Sequence, residues 1–236
     1  MFEMMVNGAA VRAQRDEKLI VFLRETLGLT SVKNGCSEGA CGTCMVLVDG
    51  KATKACVLKT SKCAGKSIVT CEGLSPRERD VYAWAFTSCG AVQCGFCTPG
   101  MVISAKGLID AVPDPTPDQV RQALKNNICR CTGYKNPGGR FARRQISARG
   151  PACPADAPGP RVGENMPRVD APAKVLGDAE YADDMRIPGM LYGSAVRSAY
   201  PRARVLSIDV SKARALPGVA AVITPPACQA SRRSAI

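Results

Sequence analysis

Histidine is absent from this chain of 236 residues, and aromatic residues are scarce at 5%. Without histidine, Rieske-type ligation, an H-E-x-x-H zinc site and the most common general base are all excluded. Neither a G-x-G-x-x-G motif nor a P-loop occurs, so nucleotide binding has no support. No apolar run approaches the roughly 20 residues of a membrane span, and no signal peptide opens the chain. We therefore expect a cytoplasmic protein with reduced thiols.

Cysteine, in contrast, is abundant, and eight of the 13 cysteines fall into two closely spaced groups. The first reads C-x4-C-x2-C with a fourth cysteine after 11 intervening residues, which is the plant-type [2Fe-2S] ferredoxin spacing. The second is C-x2-C followed, after 31 residues, by C-x-C. We call them the first quartet (Cys36, Cys41, Cys44 and Cys56) and the second quartet (Cys94, Cys97, Cys129 and Cys131). The number and spacing of these cysteines predict two iron–sulfur clusters, and therefore an electron carrier.

The segment NGCSEGACGTC also contains three glycines, Gly35, Gly39 and Gly42. Glycines let the backbone wrap closely and turn its N–H groups toward an electron-rich core. The alternative for the same thiolates is a structural zinc site in a zinc-stabilised interaction module. Zinc sites usually pair two short C-x2-4-C knuckles, whereas here three ligands fall within nine residues. Disulfides are disfavoured by the odd cysteine total and the absence of a signal peptide.

The sequence around the cysteines resembles that of a known family. The segments NGCSEGACGTC, VQCGFCTPG and NNICRCTGY are similar to the [2Fe-2S] subunit or domain of the molybdenum hydroxylases, the xanthine dehydrogenase and aldehyde oxidoreductase family. The resemblance implies an α+β fold: a β-grasp [2Fe-2S] ferredoxin domain at 1–74, then a small helical-bundle [2Fe-2S] domain at 75–135. It also implies that Gln93 and Cys131 contact the pterin of a molybdopterin cofactor held in a partner or in a continuation of the chain.

Local patterns agree with this fold. Asn7-Gly8 and Asp49-Gly50 are type I′ hairpin signals, which predict strands at 3–6 with 9–13 and at 45–48 with 51–57. Apolar periodicity predicts helices at 19–27, 77–87, 99–110 and 117–125, and a further helix from Ile128. Thr116 is the expected N-cap of the helix at 117–125 because a capping box and a proline at the first helical position coincide there.

Beyond Lys135 the pattern changes. Residues 136–160 are dense in proline, glycine and arginine, as in a linker. Residues 161–225 resemble the start of the molybdopterin-binding large subunit of the same family, which implies a partial α/β hammerhead domain, with strands expected at 191–197, 205–209 and 219–223 and a helix at 212–216. Residues 226–236 form a basic tail. Five cysteines outside the quartets receive no assigned role: Cys63, Cys71, Cys89, Cys153 and Cys228.

The formal net charge of +12 raises the question of nucleic-acid binding. No basic helix with interleaved aromatics and no recognised nucleic-acid motif accompanies it, and much of the excess lies in the linker and tail. Two clusters with four thiolates each would also add negative charge to the N-terminal part. We expect no nucleic-acid partner.

The function implied by the resemblance is that of an oxidoreductase component. Electrons from a molybdopterin centre would pass through two [2Fe-2S] clusters to an external acceptor, such as a flavin subunit or a ferredoxin-type protein. The family's catalytic base and molybdenum-binding loops lie beyond residue 236, so no catalytic residue is expected here and the isolated chain should not hydroxylate a substrate. A truncated or frameshifted nonfunctional fragment is an open alternative, beside the zinc module.

Overall fold

The computed structural model of the chain describes residues 1–133, Gly163 and residues 168–224. The linker expected at 136–160, the tail at 226–236, Cys153 and Cys228 lie outside these residues. The chain divides into two compact units, Met1–Asp184 and Met185–Ile236.

A five-stranded sheet forms the first half of the first unit. Its order is β2-β1-β5-β3-β4; β1 and β5 run parallel, and the other neighbours are antiparallel. The strands are β1 (Phe2–Val6), β2 (Ala9–Ala13), β3 (Met45–Val48), β4 (Lys51–Lys54) and β5 (Ser67–Val69). Both expected hairpins are present, and their turn residues have the positive φ angles that a type I′ turn needs: 51° at Asn7, 82° at Gly8, 48° at Asp49 and 78° at Gly50.

The helix expected at 19–27 packs against this sheet, but its winding changes along its length. It starts as α1 (Leu19–Val21) and continues as a π-helix, Phe22–Thr26. Leu19, Phe22 and Leu23 are buried in one core with the inward-facing residues of the sheet. A helix crossing a mixed sheet in this way is the β-grasp arrangement.

Three helices follow the sheet and form a second core. They are α2 (Pro76–Ser88), α3 (Thr98–Ala111) and α4 (Pro117–Leu124), each within a few residues of its expected position. The capping box at Thr116 is confirmed, since its hydroxyl accepts from the Gln119 N–H at 3.3 Å and its own N–H donates to Gln119 Oε1 at 2.7 Å. Ser75 caps α2 in the same way, which the sequence analysis did not anticipate.

The prediction of a helix from Ile128 is wrong for the described residues 128–133, which are not helical. The Ile128 N–H donates to the Cys41 carbonyl at 2.7 Å, and the Asn127 side chain donates to the Gly42 carbonyl at 2.9 Å. Since these groups bond across to the first-quartet loop, they are not arranged for the i→i−4 hydrogen bonds of a helix.

Residues 168–184 complete the first unit. They contain the helix α5 (Ala171–Leu176), which packs against α2 and α3 and ends at Gly177 with a φ of 83°. Ala171 and Val175 are fully buried in the second core. This segment therefore packs with the part of the chain that carries the two quartets, although its sequence resembles the start of the large subunit.

The second unit contains one short helix among its described residues, α6 (Ser211–Arg214), close to the helix expected at 212–216. The prediction of strands at 191–197, 205–209 and 219–223 is wrong. Within the described part of the chain, these stretches form no β-sheet hydrogen bonds. A strand needs a partner for its backbone N–H and C=O groups, and none lies beside them there. Leu191, Leu206 and Ile223 remain exposed as a result.

Candidate metal centres

The first quartet is presented by a loop and the edge of the sheet. Cys36 and Cys41 lie in the loop between the π-helix and β3, Cys44 directly precedes β3, and Cys56 follows β4. Cys44 and Cys56 are buried, whereas Cys36 and Cys41 are partly exposed. The ends of the β3–β4 hairpin therefore position two of the four thiols, and the preceding loop supplies the other two.

Close packing explains the glycines of this loop. A Cβ at Gly35 would lie 2.9 Å from Cys41 Sγ, and one at Gly39 would lie 2.6 Å from a Val57 methyl carbon. A Cβ at Gly42 would overlap the Asn126 carbonyl oxygen, and Gly42 also has a φ of 71°. Only glycine fits this close approach without displacing its neighbours.

Backbone donors and burial act in opposite directions on the thiols of the first quartet. The N–H groups of Cys41 and Glu38 point at Cys36 Sγ, each at 3.4 Å, and they lower the pKa of Cys36 to about 6. Burial raises the pKa of Cys44 to about 12. The backbone donors thus favour the thiolate at Cys36, whereas burial opposes ionisation at Cys44.

Two lysines hold the same loop through its carbonyl groups. Lys54 Nζ donates to the Gly39 carbonyl at 2.6 Å, and Lys18 Nζ donates to the Ser37 carbonyl at 2.9 Å. These contacts keep positive charge beside a site that would carry several thiolates.

The second quartet lies where helices begin and end. Cys97 is the residue that precedes α3, Cys94 lies three residues earlier, and Cys129 and Cys131 follow α4. Burial, followed by the neighbouring Cys129 thiol, raises the pKa of Cys97 to about 12. Burial also opposes ionisation of Cys129, but hydrogen bonds from the Thr132 hydroxyl at 3.1 Å and N–H at 3.4 Å outweigh it, so the pKa of Cys129 is lowered.

The thiols of the second quartet come together as close pairs. The Sγ atoms of Cys94 and Cys131 are 3.6 Å apart, and Cys97 faces Cys129. In the described residues, no three Cys, Asp or Glu side chains converge on a single metal position. A two-iron cluster takes two thiolates at each iron, whereas one zinc ion draws all four to a single point. Paired thiols therefore suit a [2Fe-2S] cluster.

The two quartets meet across one tight interface. Ile128, next to Cys129, is hydrogen-bonded to Cys41, and Asn127 is hydrogen-bonded to Gly42, which adjoins Cys41. A Cβ at Gly100 would lie 2.5 Å from the Gly42 carbonyl oxygen, so α3 also approaches this loop directly.

The side chain of Gln93 is exposed, as are Cys94 and Cys131. The second quartet thus reaches the surface of the first unit at one side. Of the cysteines without an assigned role, Cys63 and Cys71 are buried and Cys89 is partly buried.

Several residues around the second quartet were missed by the sequence analysis. Tyr181 donates its hydroxyl to the Cys94 carbonyl at 2.7 Å, and Arg168 donates to the Gln93 carbonyl at 2.7 Å. Burial, followed by the nearby Cys94, raises the pKa of Tyr181 to about 12, so its hydroxyl stays protonated. No local motif marks these residues, because they act over 75 or more positions along the chain.

Three family models match successive parts of the chain. The family model for the 2Fe-2S iron-sulfur cluster binding domain matches residues 4–72, and the [2Fe-2S] binding domain matches 70–137. The a/b hammerhead domain of aldehyde oxidase and xanthine dehydrogenase matches 176–235. The chain is thus a protein of two [2Fe-2S] domains, each with its own cluster, followed by part of a hammerhead domain.

Individual relatives agree. The chain is 41% identical over 217 residues to the aldehyde oxidoreductase of Megalodesulfovibrio gigas, covering 86% of this chain and 24% of that protein. It is 42% identical over 132 residues to the nicotinate dehydrogenase small FeS subunit of Eubacterium barkeri, covering 55% of this chain and 84% of that subunit.

Among solved structures, the aldehyde oxidoreductase from Desulfovibrio gigas superposes with a TM-score of 0.69 at 38% identity, covering 78% of this chain and 22% of that one. The chain belongs to the molybdenum hydroxylase family, of which it holds the iron–sulfur region, and it is a component of an oxidoreductase of that type. It spans about a quarter of the length of the aldehyde oxidoreductase. No helix in the described residues is long and apolar enough to cross a membrane.

Proposed function

We propose that the chain is the electron-transfer portion of a molybdenum-dependent hydroxylase that oxidises an aldehyde or a heterocycle. The observation that carries this proposal is the direct backbone contact between the segments that hold the two quartets, in which the N–H of Ile128, the residue before Cys129, donates to the Cys41 carbonyl at 2.7 Å. Two redox sites joined through one hydrogen bond suit a relay better than two independent structural metals would.

The proposed ligands are the first quartet for one cluster and the second quartet for the other. Within the first quartet, the thiols of Cys36 and Cys41 interact, and so do those of Cys44 and Cys56. Two thiolates for each iron follow from this pairing, as in the second quartet. When bound, the two clusters supply one-electron steps between a molybdopterin centre and an acceptor.

The chain's own residues tune these sites. Donors to sulfur favour the reduced, more negative state of a cluster, so hydrogen bonds to ligand thiolates raise its potential. The first quartet has the N–H groups of Glu38 and Cys41 on Cys36, and the second has the hydroxyl and N–H of Thr132 on Cys129. Lys54 adds a positive charge near the first quartet through Gly39.

The exposed side of the second quartet is the proposed docking point for a molybdopterin-binding subunit or domain. Gln93 and Cys131 are exposed there, which leaves both free to contact the pterin. The partly exposed Cys36 and Cys41 would then face a flavin subunit or a ferredoxin-type acceptor. The names of the relatives support such partners, since one is itself a small FeS subunit.

Single cysteine replacements test the ligand assignment. Cys44→Ser should remove or strongly perturb one of two [2Fe-2S] EPR signals in the dithionite-reduced chain and leave the other, because the buried cysteines of the two quartets lie in separate cores. Cys89→Ser is the matched control, since Cys89 belongs to neither quartet, and it should leave both signals. Loss of both signals in Cys44→Ser with the fold intact, or loss of either in Cys89→Ser, would contradict the assignment.

A further inference from the structure

Residues 168–184, which we call the strap, lie across both cluster-binding domains. The helix α5 within the strap packs on α2 and α3, and Arg79 of α2 forms an ion pair with Asp178 at 2.6 Å. A Cβ at Gly177 would overlap Ser31, which belongs to the ferredoxin-like domain. The strap thus touches the first domain and the second along one continuous stretch of chain.

One end of the strap is fixed by buried charges. Asp184 pairs with Lys33 at 2.7 Å and with Arg24 at 2.8 Å. The Lys33 side chain is 0% exposed and that of Asp184 is 4% exposed. A charge so deeply buried is costly unless its partner stays in place, so this contact sets the position of the strap on the first domain.

The rest of the strap holds the Cys94–Cys97 loop. The Tyr181 hydroxyl donates to the Cys94 carbonyl and the Arg168 guanidinium donates to the Gln93 carbonyl, both at 2.7 Å. The Tyr181 ring also meets Phe96 edge to face, with ring centroids 5.2 Å apart. A Cβ at Gly95 would lie 2.9 Å from the Tyr181 oxygen, so the loop and the strap are in tight contact.

Lys33 connects this contact to the first quartet. Its Nζ lies 4.8 Å from the centre of the Tyr181 ring, and its carbonyl accepts a hydrogen bond from Thr43 Oγ1 at 3.0 Å. Thr43 Oγ1 is in turn 3.3 Å from Cys41 Sγ. A chain of contacts through Tyr181 and Lys33 therefore links the Cys94 loop to the first-quartet loop.

We propose that the strap tunes the second cluster, and that Tyr181 is the positioning residue through which it holds the ligand loop at Cys94. This inference rests on the proposed electron-transfer function. The tyrosine hydroxyl and the arginine both direct positive charge at carbonyl groups of the ligand loop. Such donors stabilise the reduced cluster, which carries one more negative charge than the oxidised cluster.

The test compares Tyr181→Phe with Tyr192→Phe in the full chain carrying both clusters. Phenylalanine keeps the ring that contacts Phe96 and Lys33 and removes only the hydroxyl. Tyr192 is an exposed tyrosine of the second unit and serves as the matched control. Potentiometric titration followed by EPR gives a midpoint potential for each centre, and Cys44→Ser identifies which signal belongs to the first quartet.

We expect the second centre of Tyr181→Phe to become harder to reduce, with a more negative midpoint potential and an altered EPR line shape. The first centre should keep its potential, and Tyr192→Phe should match the unsubstituted chain at both centres. Arg168→Gln, which removes a donor from the adjacent carbonyl, should shift the second centre in the same direction. An unchanged second centre in Tyr181→Phe, or an equal shift of both centres, would overturn the proposal.

The two proposals fail separately. If the unsubstituted chain assembles no clusters, the electron-transfer function is refuted before the strap is tested. If it assembles two clusters and Tyr181→Phe leaves the second one unaltered, the function stands and only the role of the strap is refuted.

Discussion

Gly42 lies where the two cluster-binding domains are in tight backbone contact, and Gly42→Ala tests how much stability depends on that contact. The added Cβ would overlap the Asn126 carbonyl oxygen, a backbone atom that cannot rotate away. The natural control is Gly50→Ala. Gly50 has a similar φ, 78° against 71°, and a Cβ there would meet nothing within 4 Å.

The magnitude follows from what each variant loses. Both place alanine on left-handed backbone, at a cost of roughly 1–2 kcal/mol. Gly42→Ala must also push residues 126–127 away, which breaks the bonds from Asn127 Nδ2 to the Gly42 carbonyl and from the Ile128 N–H to the Cys41 carbonyl. Each bond contributes about 1 kcal/mol, and a buried amide left unpaired costs about 1–3 kcal/mol, so the additional loss is about 2–4 kcal/mol.

The assay is thermal unfolding of the cluster-loaded chain under anaerobic conditions, followed by far-UV circular dichroism. In a chain of this size 1 kcal/mol lowers Tm by about 2–4 °C, so Gly42→Ala should melt about 5–15 °C below Gly50→Ala. Equal melting temperatures for the two variants would refute the reasoning, because the strain on φ would then account for the whole effect and the domain contact for none of it.

Three further predictions concern single side chains. Asp184→Asn should destabilise the chain by about 3–5 kcal/mol in denaturant unfolding, because it leaves the charge of buried Lys33 without its counter-ion. Asp183→Asn, at a side chain 63% exposed, should cost less than about 1 kcal/mol. Thr116→Ala should cost about 1 kcal/mol by loss of the N-cap of α4, and Thr116→Ser should restore it; equal stability of the alanine variant would contradict the cap. Lys54→Met should speed the loss of the first EPR signal to an iron chelator and leave the second unchanged, because it frees the Gly39 carbonyl; equal rates for both signals would contradict a local effect.

Local sequence signals predicted the elements that local interactions determine. Asn7-Gly8 and Asp49-Gly50 identified both hairpins because a type I′ turn needs positive φ at two adjacent residues. Thr116 identified the start of α4 because its cap is formed within four residues. The strand β5 was missed, since its three residues, Ser67–Val69, are too few to display a period of two.

Long-range contacts explain where the structure differs from the predictions made from the sequence. The helix expected from Ile128 does not form because the backbone there is bonded to Cys41, 87 positions earlier, and no local pattern reports that bond. The strap was assigned with the large-subunit segment, yet Asp184 lies 151 positions from its partner Lys33. A lysine with a fully buried side chain is rare and is not recognisable from its neighbours in the sequence.

The central claim is that the two quartets hold [2Fe-2S] clusters that carry electrons. Anaerobic purification followed by iron, zinc and acid-labile sulfide analysis tests it most directly, together with low-temperature EPR of the dithionite-reduced chain. We predict about four irons and about four sulfides per chain and two distinct [2Fe-2S] signals. Zinc bound without sulfide would contradict it and favour a zinc-stabilised module.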